Sequence, residues 1–215
     1  MSSLDSQPLH NFIETYDTPQ VWKDNICESI ISFFEKTYVP KSSGLKAFNR
    51  NRQRVCSTIT FNFGEDWEIN DSVYFFVKEG IDKYRDKYEY LNSIDKFSQW
   101  RLCPSYNIQR YDGKEEGYFS LHNETSGSYP YRLLAWMVYL NDAECGTEFP
   151  YQNITITPKK GRTVIWPASL THPHKGVTPN IGIKYIATGW FYYLPKGEPK
   201  FDGHHYDENI QEIVV

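Results

Sequence analysis

The chain has 215 residues, enough to bury one sizeable core, and is expected to form a single domain over 1–215. Lys and Arg number 23 against 27 Asp and Glu, so the net charge of −4 gives no general pull toward nucleic acid or an anionic membrane surface. Hydrophobic residues at 40% and charged residues at 23% exclude a disordered chain, and no stretch approaches the roughly 18–20 apolar residues of a membrane span. The 17 Tyr, 13 Phe and 6 Trp against 2 Met favour strands and pocket walls. Cys27, Cys56, Cys103 and Cys145 form no CxxC pair, which excludes zinc ribbons and dithiol redox motifs. No basic region followed by an apolar run opens the sequence, so four reduced thiols in a cytoplasmic protein are expected.

In chain order, Thr18-Pro19 reads as a helix start, a hydroxyl cap followed by proline at the first helical position. Trp22, Ile26, Ile30, Phe33 and Phe34 follow at helical spacing, and Pro40 marks the end. Residues 40–54 are basic and loop-like, and residues 56–63 alternate as a strand. A second helix is expected from about Asp71 to Tyr90, with Val73, Phe76, Val77, Ile81, Tyr84 and Tyr88 as its buried stripe. Beyond about residue 99 the pattern changes to short β-prone runs at 105–111, 117–124, 130–141, 153–158, 161–167 and 183–195, punctuated by turn residues. Helical support over about 18–98, a barrel core over about 99–195 and a peripheral tail at 196–215 are therefore expected. The fold class is mainly β, with helices packed on one side.

Two of the six histidines stand out. His122-Asn123-Glu124 ends a predicted strand, and side chains at i and i+2 of a strand share a face. An imidazole and a carboxylate would project together, and a distant imidazole would complete a two-His, one-carboxylate triad. Such a triad leaves three coordination positions open and suits non-haem Fe(II). In isolation the tripeptide reads as well as a surface histidine beside an exposed glutamate. His174, at a strand entry, is the candidate third ligand. His172, two residues earlier on the same parity, is its alternative. Ten residues after His174, Lys184 opens an aromatic strand on which Lys184, Ile186, Thr188 and Trp190 share one face. A lysine in so apolar a strand needs an anionic partner or must reach water.

The runs RYDGKEEGYFSLHNE, YRLLAWMVYLND, CGTEFPYQNITITPKKGRTVIWPASLTHPHKGV and GIKYIATGWFYY together resemble the Fe(II)/2-oxoglutarate-dependent dioxygenases, most closely the prolyl 4-hydroxylase-like branch. That family's order is a tyrosine-glycine loop, HxD, a YLN strand, a GGxTxFP turn, a P-x-x-G turn, and a histidine followed about ten residues later by Lys or Arg. The resemblance covers residues 105–194 and implies a double-stranded β-helix, the jelly-roll or cupin-like barrel. It implies Fe(II) held by His122, Glu124 and His174, with 2-oxoglutarate and O2 as cosubstrates. It also implies Lys184 on the distal carboxylate of 2-oxoglutarate, Tyr111, Tyr139 and Thr188 in the cosubstrate pocket, and Tyr118 and Trp190 as walls. The sequence departs from the family at Glu124, where Asp is usual, and at Cys145, where the first of two glycines is usual.

The implied activity is hydroxylation of a C–H bond of an amino-acid side chain, with peptidyl proline as one substrate class. A small metabolite such as a free amino acid is a second, since some relatives with HxE act on free amino acids. A non-catalytic metal- or ligand-binding β-barrel is a third reading of another class; it requires neither the ordered triad nor the later lysine. The expected partners are the cosubstrate and a peptide or small-metabolite substrate, with no nucleic acid and no membrane.

Overall fold

The computed structural model describes residues 11–37, 54–65, 67–113, 116–177 and 182–194. The element order is β1 (Glu14–Asp17), α1 (Gln20–Thr37), β2 (Arg54–Val55), β3 (Ser57–Asn62), α2 (Asn70–Lys87), α3 (Tyr90–Ile94), β4 (Trp100–Leu102) and β5 (Ser105–Asp112). Then follow β6 (Gly117–Tyr118), β7 (Arg132–Tyr139), β8 (Thr147–Phe149), β9 (Ile154–Ile156), β10 (Arg162–Pro167), β11 (Lys175–Gly176) and β12 (Ile183–Tyr193). The large sheet runs β1-β10-β7-β12-β5-β3, with β4 also paired to β12; a small sheet runs β11-β8-β9, and β2 pairs with β6. All pairings are antiparallel. The architecture is the mainly β, double-stranded β-helix expected from the sequence.

Alternation on β7 and β12 builds two cores from one sheet. Leu134, Trp136 and Val138 join Cys27, Ile30, Phe34, Val73, Phe76 and Val77 in a core between sheet and helices. Ala135, Met137 and Tyr139 point the other way, into a second core with Phe149, Trp166 and Ile186. Both faces of β7 are thus covered, which is why its sequence is a continuous apolar run instead of an alternating one.

Several local readings change. The strand β1, ETYD, carries no strand signal in sequence; it forms because its backbone completes the edge of β10, with Glu14 opposite Ile165 and Asp17 opposite Arg162. Thr18 directs its hydroxyl to Glu79 Oε2 of α2 at 3.4 Å and so ties two elements together, where a helix cap was expected. Trp22 is 59% exposed, and the buried stripe of α1 consists of Cys27, Ile30 and Phe34. The second helix stops at Lys87, and α3 follows as a separate short helix. The predicted strand 117–124 is regular only at Gly117–Tyr118. Residues 40–53 of the basic loop and the tail 196–215 lie outside the described residues.

Two turn glycines have steric causes. Gly161 in the PKKG turn has φ +74°, a left-handed conformation that glycine adopts without penalty. A Cβ on Gly146 would collide with the Ile156 carbonyl of the neighbouring strand. The preceding position holds the buried Cys145, where the family this sequence resembles usually has its first glycine.

Phe34→Ala is expected to destabilise the protein by about 3–5 kcal/mol through the cavity it leaves. Trp22→Ala should stay within about 0.5 kcal/mol. Urea denaturation of the two variants checks this contrast, and equal losses would contradict the assignment of the α1 buried face.

Candidate metal centre and its cavity

His122 and His174 meet through a backbone bridge. His122 N–H donates to the His174 carbonyl at 3.0 Å, and His174 N–H donates to the His122 carbonyl at 2.8 Å. Glu124 N–H donates to the Ala168 carbonyl at 3.0 Å. This bridge brings the side chains together; regular strand parity over 117–124, the expected cause, does not operate here. One potential ligand atom from each of His122, Glu124 and His174 lies within 4.8 Å of the others. Glu124 Oε1 is 3.6 Å from His122 Nε2 and 3.3 Å from His174 Nε2.

The tautomers follow from the outer contacts. His122 Nδ1 lies 2.9 Å from the Ser120 carbonyl, and His174 Nδ1 lies 3.1 Å from the His172 carbonyl. A carbonyl only accepts, so each Nδ1 carries a proton, and Nε2 is the ring nitrogen turned toward Glu124 and available to a metal. Rings fix both planes. Tyr118 stacks on His122 at 3.6 Å and 12°, while Phe149 and Trp166 pack against His174 at 5.2 Å and 5.0 Å. Two nitrogen donors and one carboxylate oxygen, converging from one side, fit a divalent metal of the non-haem iron type.

Glu124 is held at both oxygens. Its Oε2 accepts from Trp190 Nε1 at 2.8 Å and from Arg132 Nη1 at 3.3 Å, leaving Oε1 to face the imidazoles. The Arg132 guanidinium also bonds the Glu124 carbonyl at 3.1 Å and lies between the rings of Tyr129, at 3.9 Å, and Trp190, at 3.5 Å. Burial pushes the Glu124 pKa up, but hydrogen bonds and charge from His122 and His174 outweigh it and hold the carboxyl well below the usual range.

The triad opens into a cavity of about 350 Å³. Lys184 lines it at 4% exposure, its ammonium 4.8 Å from the centre of the Tyr111 ring. It forms no ion pair among the described residues, and burial lowers its pKa. An unpaired buried ammonium costs several kcal/mol, so this position fits an anionic ligand such as the distal carboxylate of 2-oxoglutarate.

The remaining expected residues divide. Tyr111, Tyr118, Thr188 and Trp190 all line the cavity. Tyr111 donates to Gln109 Oε1 at 2.6 Å, and Thr188 donates to the Trp136 carbonyl at 2.9 Å. Tyr139 departs from expectation: it is fully buried behind the wall, and its hydroxyl is engaged by Thr147 Oγ1 at 2.8 Å, so Thr147 occupies the lining instead. His172 is turned away from the triad. Its Nε2 bonds the Asn11 carbonyl at 2.7 Å and its Nδ1 bonds Thr171 Oγ1 at 2.8 Å, leaving no ring nitrogen free. Sequence reading passed over Arg54, Asn107, Gln109, Arg132 and Thr147, all in the lining. Alternation from Tyr111 along β5 would have reached Gln109 and Asn107; Arg54 and Arg132 sit at strand starts without a local signal.

Residues 106–192 match the sequence profile of the 2OG-Fe(II) oxygenase superfamily. No curated protein sequence matches the chain. Among solved structures, the chain is similar to a viral collagen prolyl hydroxylase from Paramecium Bursaria Chlorella virus-1 in complex with 2OG, with TM-score 0.61, 20% identity, and coverage of 85% of this chain and 97% of that one. It is also similar to a Pseudomonas putida prolyl-4-hydroxylase, with TM-score 0.60, 14% identity, and coverage of 86% and 94%. A third is a Trichoplax adhaerens prolyl hydroxylase bound to a hypoxia inducible factor oxygen degradation domain peptide, with TM-score 0.59, 15% identity, and coverage of 85% and 84%.

Lys184→Met is expected to stabilise the ligand-free protein by about 1–3 kcal/mol, because it replaces an unpaired buried cation with an apolar chain of similar length. Burial lowers the Lys184 pKa, so the unfolded chain holds that proton more tightly than the folded one. The wild-type deficit should therefore shrink as pH rises toward the ordinary lysine value of about 10.4, and the variant should lack that slope. Urea denaturation across pH reads both effects; equal stability at neutral pH would mean that the ammonium is well hydrated.

Proposed function

We propose that this chain, a 2OG-Fe(II) oxygenase of the prolyl 4-hydroxylase-like branch, hydroxylates a C–H bond of an amino-acid side chain, with peptidyl proline as the substrate. The observation that carries the reading is the convergence, in one cavity, of the His122, Glu124 and His174 donors with the unpaired ammonium of Lys184. A barrel that only binds a metal has no use for that buried cation.

In this reading His122, Glu124 and His174 hold Fe(II) and leave coordination positions for cosubstrate and dioxygen. When bound, the iron with 2-oxoglutarate and O2 supplies the oxidation that turns C–H into C–OH, 2-oxoglutarate leaving as succinate and CO2. Lys184 pairs with the distal carboxylate of the cosubstrate over the Tyr111 ring, a charge-assisted contact that offsets the cost of burying both groups. Thr188 lies on the same strand face, and Tyr118 and Trp190 wall the site. Met137, Ile186 and Trp166 supply apolar lining that keeps water from the reacting atoms. Arg132 and Trp190 position Glu124: by binding Oε2 they take up the extra methylene relative to aspartate and aim Oε1 at the metal position.

The similarity to prolyl hydroxylases of peptides supports peptidyl proline as the substrate class. The four free thiols among the described residues accord with a cytoplasmic setting, and no helix of the described residues is long and apolar enough to cross a membrane. We assign the whole of 1–215 to one dioxygenase domain, with the helices supporting the large sheet.

Two outcomes test the reading. His122→Ala should abolish both metal binding and 2-oxoglutarate-dependent succinate release, whereas His172→Ala should keep metal stoichiometry. Lys184→Ala should raise KM for 2-oxoglutarate by about ten- to a thousand-fold, corresponding to a lost charged contact of roughly 1.5–4 kcal/mol, with metal affinity unchanged. Full succinate release by His122→Ala would refute the triad, and an unchanged KM in Lys184→Ala would refute the cosubstrate assignment.

Glu124→Asp should weaken metal binding by about ten- to a hundred-fold, because the shorter side chain cannot reach both the imidazoles and the Arg132–Trp190 pair. Calorimetric titration of the protein with Mn(II) or Co(II) measures this directly; unaltered affinity would show that the backbone closes the gap.

A further inference from the structure

The cavity lining carries three strongly basic side chains, Arg54, Arg132 and Lys184, against one carboxylate, Glu124. A divalent metal and the dianion of 2-oxoglutarate neutralise each other, so the loaded cavity retains an excess of positive charge. Two of the three cations have an assigned counterpart: Lys184 faces the cosubstrate, and Arg132 is bonded to Glu124. Arg54 has none. It makes no ion pair among the described residues, and its guanidinium lies over the Tyr118 ring at 5.5 Å. The adjoining stretch 38–53 contains Lys41, Lys46, Arg50 and Arg52 and no acidic residue, so no neighbour in sequence supplies a counter-ion.

The position of Arg54 is fixed by strand pairing. Arg54 of β2 sits opposite Tyr118 of β6, and Tyr118 stacks on His122 at 3.6 Å. Guanidinium, phenol ring and candidate ligand imidazole therefore follow one another along the wall. By these contacts the Arg54 guanidinium lies at most about 9 Å from the centre of the His122 ring, under three extended residues. Lys184 lies over a different ring, Tyr111, so the two cations serve different ends of the cavity contents.

We infer that Arg54 selects the substrate: the molecule that is oxidised carries a carboxylate near the reacting carbon, and Arg54 binds it against the Tyr118 ring. The inference rests on the reading of this cavity as the iron and cosubstrate site. The carboxylate has two sources of the same chemistry. It is either the α-carboxylate of a free amino acid or an Asp or Glu side chain beside the target residue of a peptide. A planar guanidinium binds either in a two-pronged fashion and stays charged at every relevant pH.

Four probes separate these cases: a proline peptide with Asp next to the proline, the same peptide with Asn, free proline, and prolinamide. Binding is read by tryptophan fluorescence in the Zn(II) form with a non-reacting 2-oxoglutarate analogue, and hydroxylation by product mass in the Fe(II) form. The wild type should favour an acidic probe over its neutral counterpart by about 10- to 100-fold. Arg54→Gln should remove that preference through Kd and KM, with 2-oxoglutarate and metal affinities unchanged, and Arg54→Lys should restore part of it. Preference for the Asp peptide locates the carboxylate on a side chain; preference for free proline makes it an α-carboxylate. Equal use of acidic and neutral probes overturns the inference alone, as does an Arg54→Gln variant whose only change is a raised KM for 2-oxoglutarate. Binding of an acidic probe without its hydroxylation overturns the proline reading and leaves the inference standing. No binding of any probe overturns both.

Discussion

The antiparallel pairing of β7 with β12 at the centre of the large sheet sets the direction of the site side chains that these two strands carry. Ile186 faces Tyr139, Thr188 faces Met137 and Trp190 faces Ala135. Helices cover one side of this pair and the cavity occupies the other, so neither face has a solvated alternative. A slip of one residue would send Lys184, Ile186, Thr188 and Trp190 into the helix-side core and bring Tyr185, Ala187 and Gly189 into the cavity. Gly189 holds the register from the other side, since a Cβ there would collide with the Trp136 ring. Burial on both faces turns an ordinary strand pair into a register that admits one answer.

Local order at the candidate metal site then comes from irregular backbone. A single bridge between His122 and His174 replaces a regular ladder, and each Nδ1–H is satisfied by a nearby main-chain carbonyl. Irregular segments aim side chains where strand parity does not reach. Glu124, where the family this sequence resembles usually has aspartate, is accommodated by the same arrangement. Its additional reach is taken up by Trp190 from β12 and Arg132 from the start of β7, the two strands that already define the register. Arg132 in turn is pinned between two aromatic rings, so the clamp loses little conformational freedom on forming.

Electrostatics inside the cavity run opposite to those of the whole molecule. The chain is acidic overall, with a net charge of −4, whereas its cavity lining has three basic side chains and one acid. Net charge governs solubility and long-range encounter; the local field governs which ligand stays. Cations held near aromatic faces recur here: Arg54 over Tyr118, Lys184 over Tyr111, Arg132 between Tyr129 and Trp190. The rings partly replace lost hydration while leaving the donors available for oxygen ligands. This gives Tyr111, Tyr118, Tyr129 and Trp190 of the lining a role beyond apolar packing.

Much was legible in the sequence because its signals are local or periodic. The stripe of α2 from Val73 to Tyr84, the alternation of β3, the apolar run of β7 and the shared face of Lys184 to Trp190 follow from side-chain spacing alone, and the ordered motifs through His122, Glu124, His174 and Lys184 carried the family resemblance. What needed the tertiary structure were the features whose energy comes from distant partners. β1 exists only as the edge of β10, and Trp22 and Thr18 follow what surrounds them instead of helical periodicity. The choice between His172 and His174 is of the same kind, since spacing gives both the same parity; it is decided by the carbonyl of Asn11, 161 positions away, which engages one imidazole and leaves the other to face Glu124. Sequence spacing fixes which residues share a face of an element, whereas the partner of a buried polar group is set by desolvation, which only the assembled fold imposes.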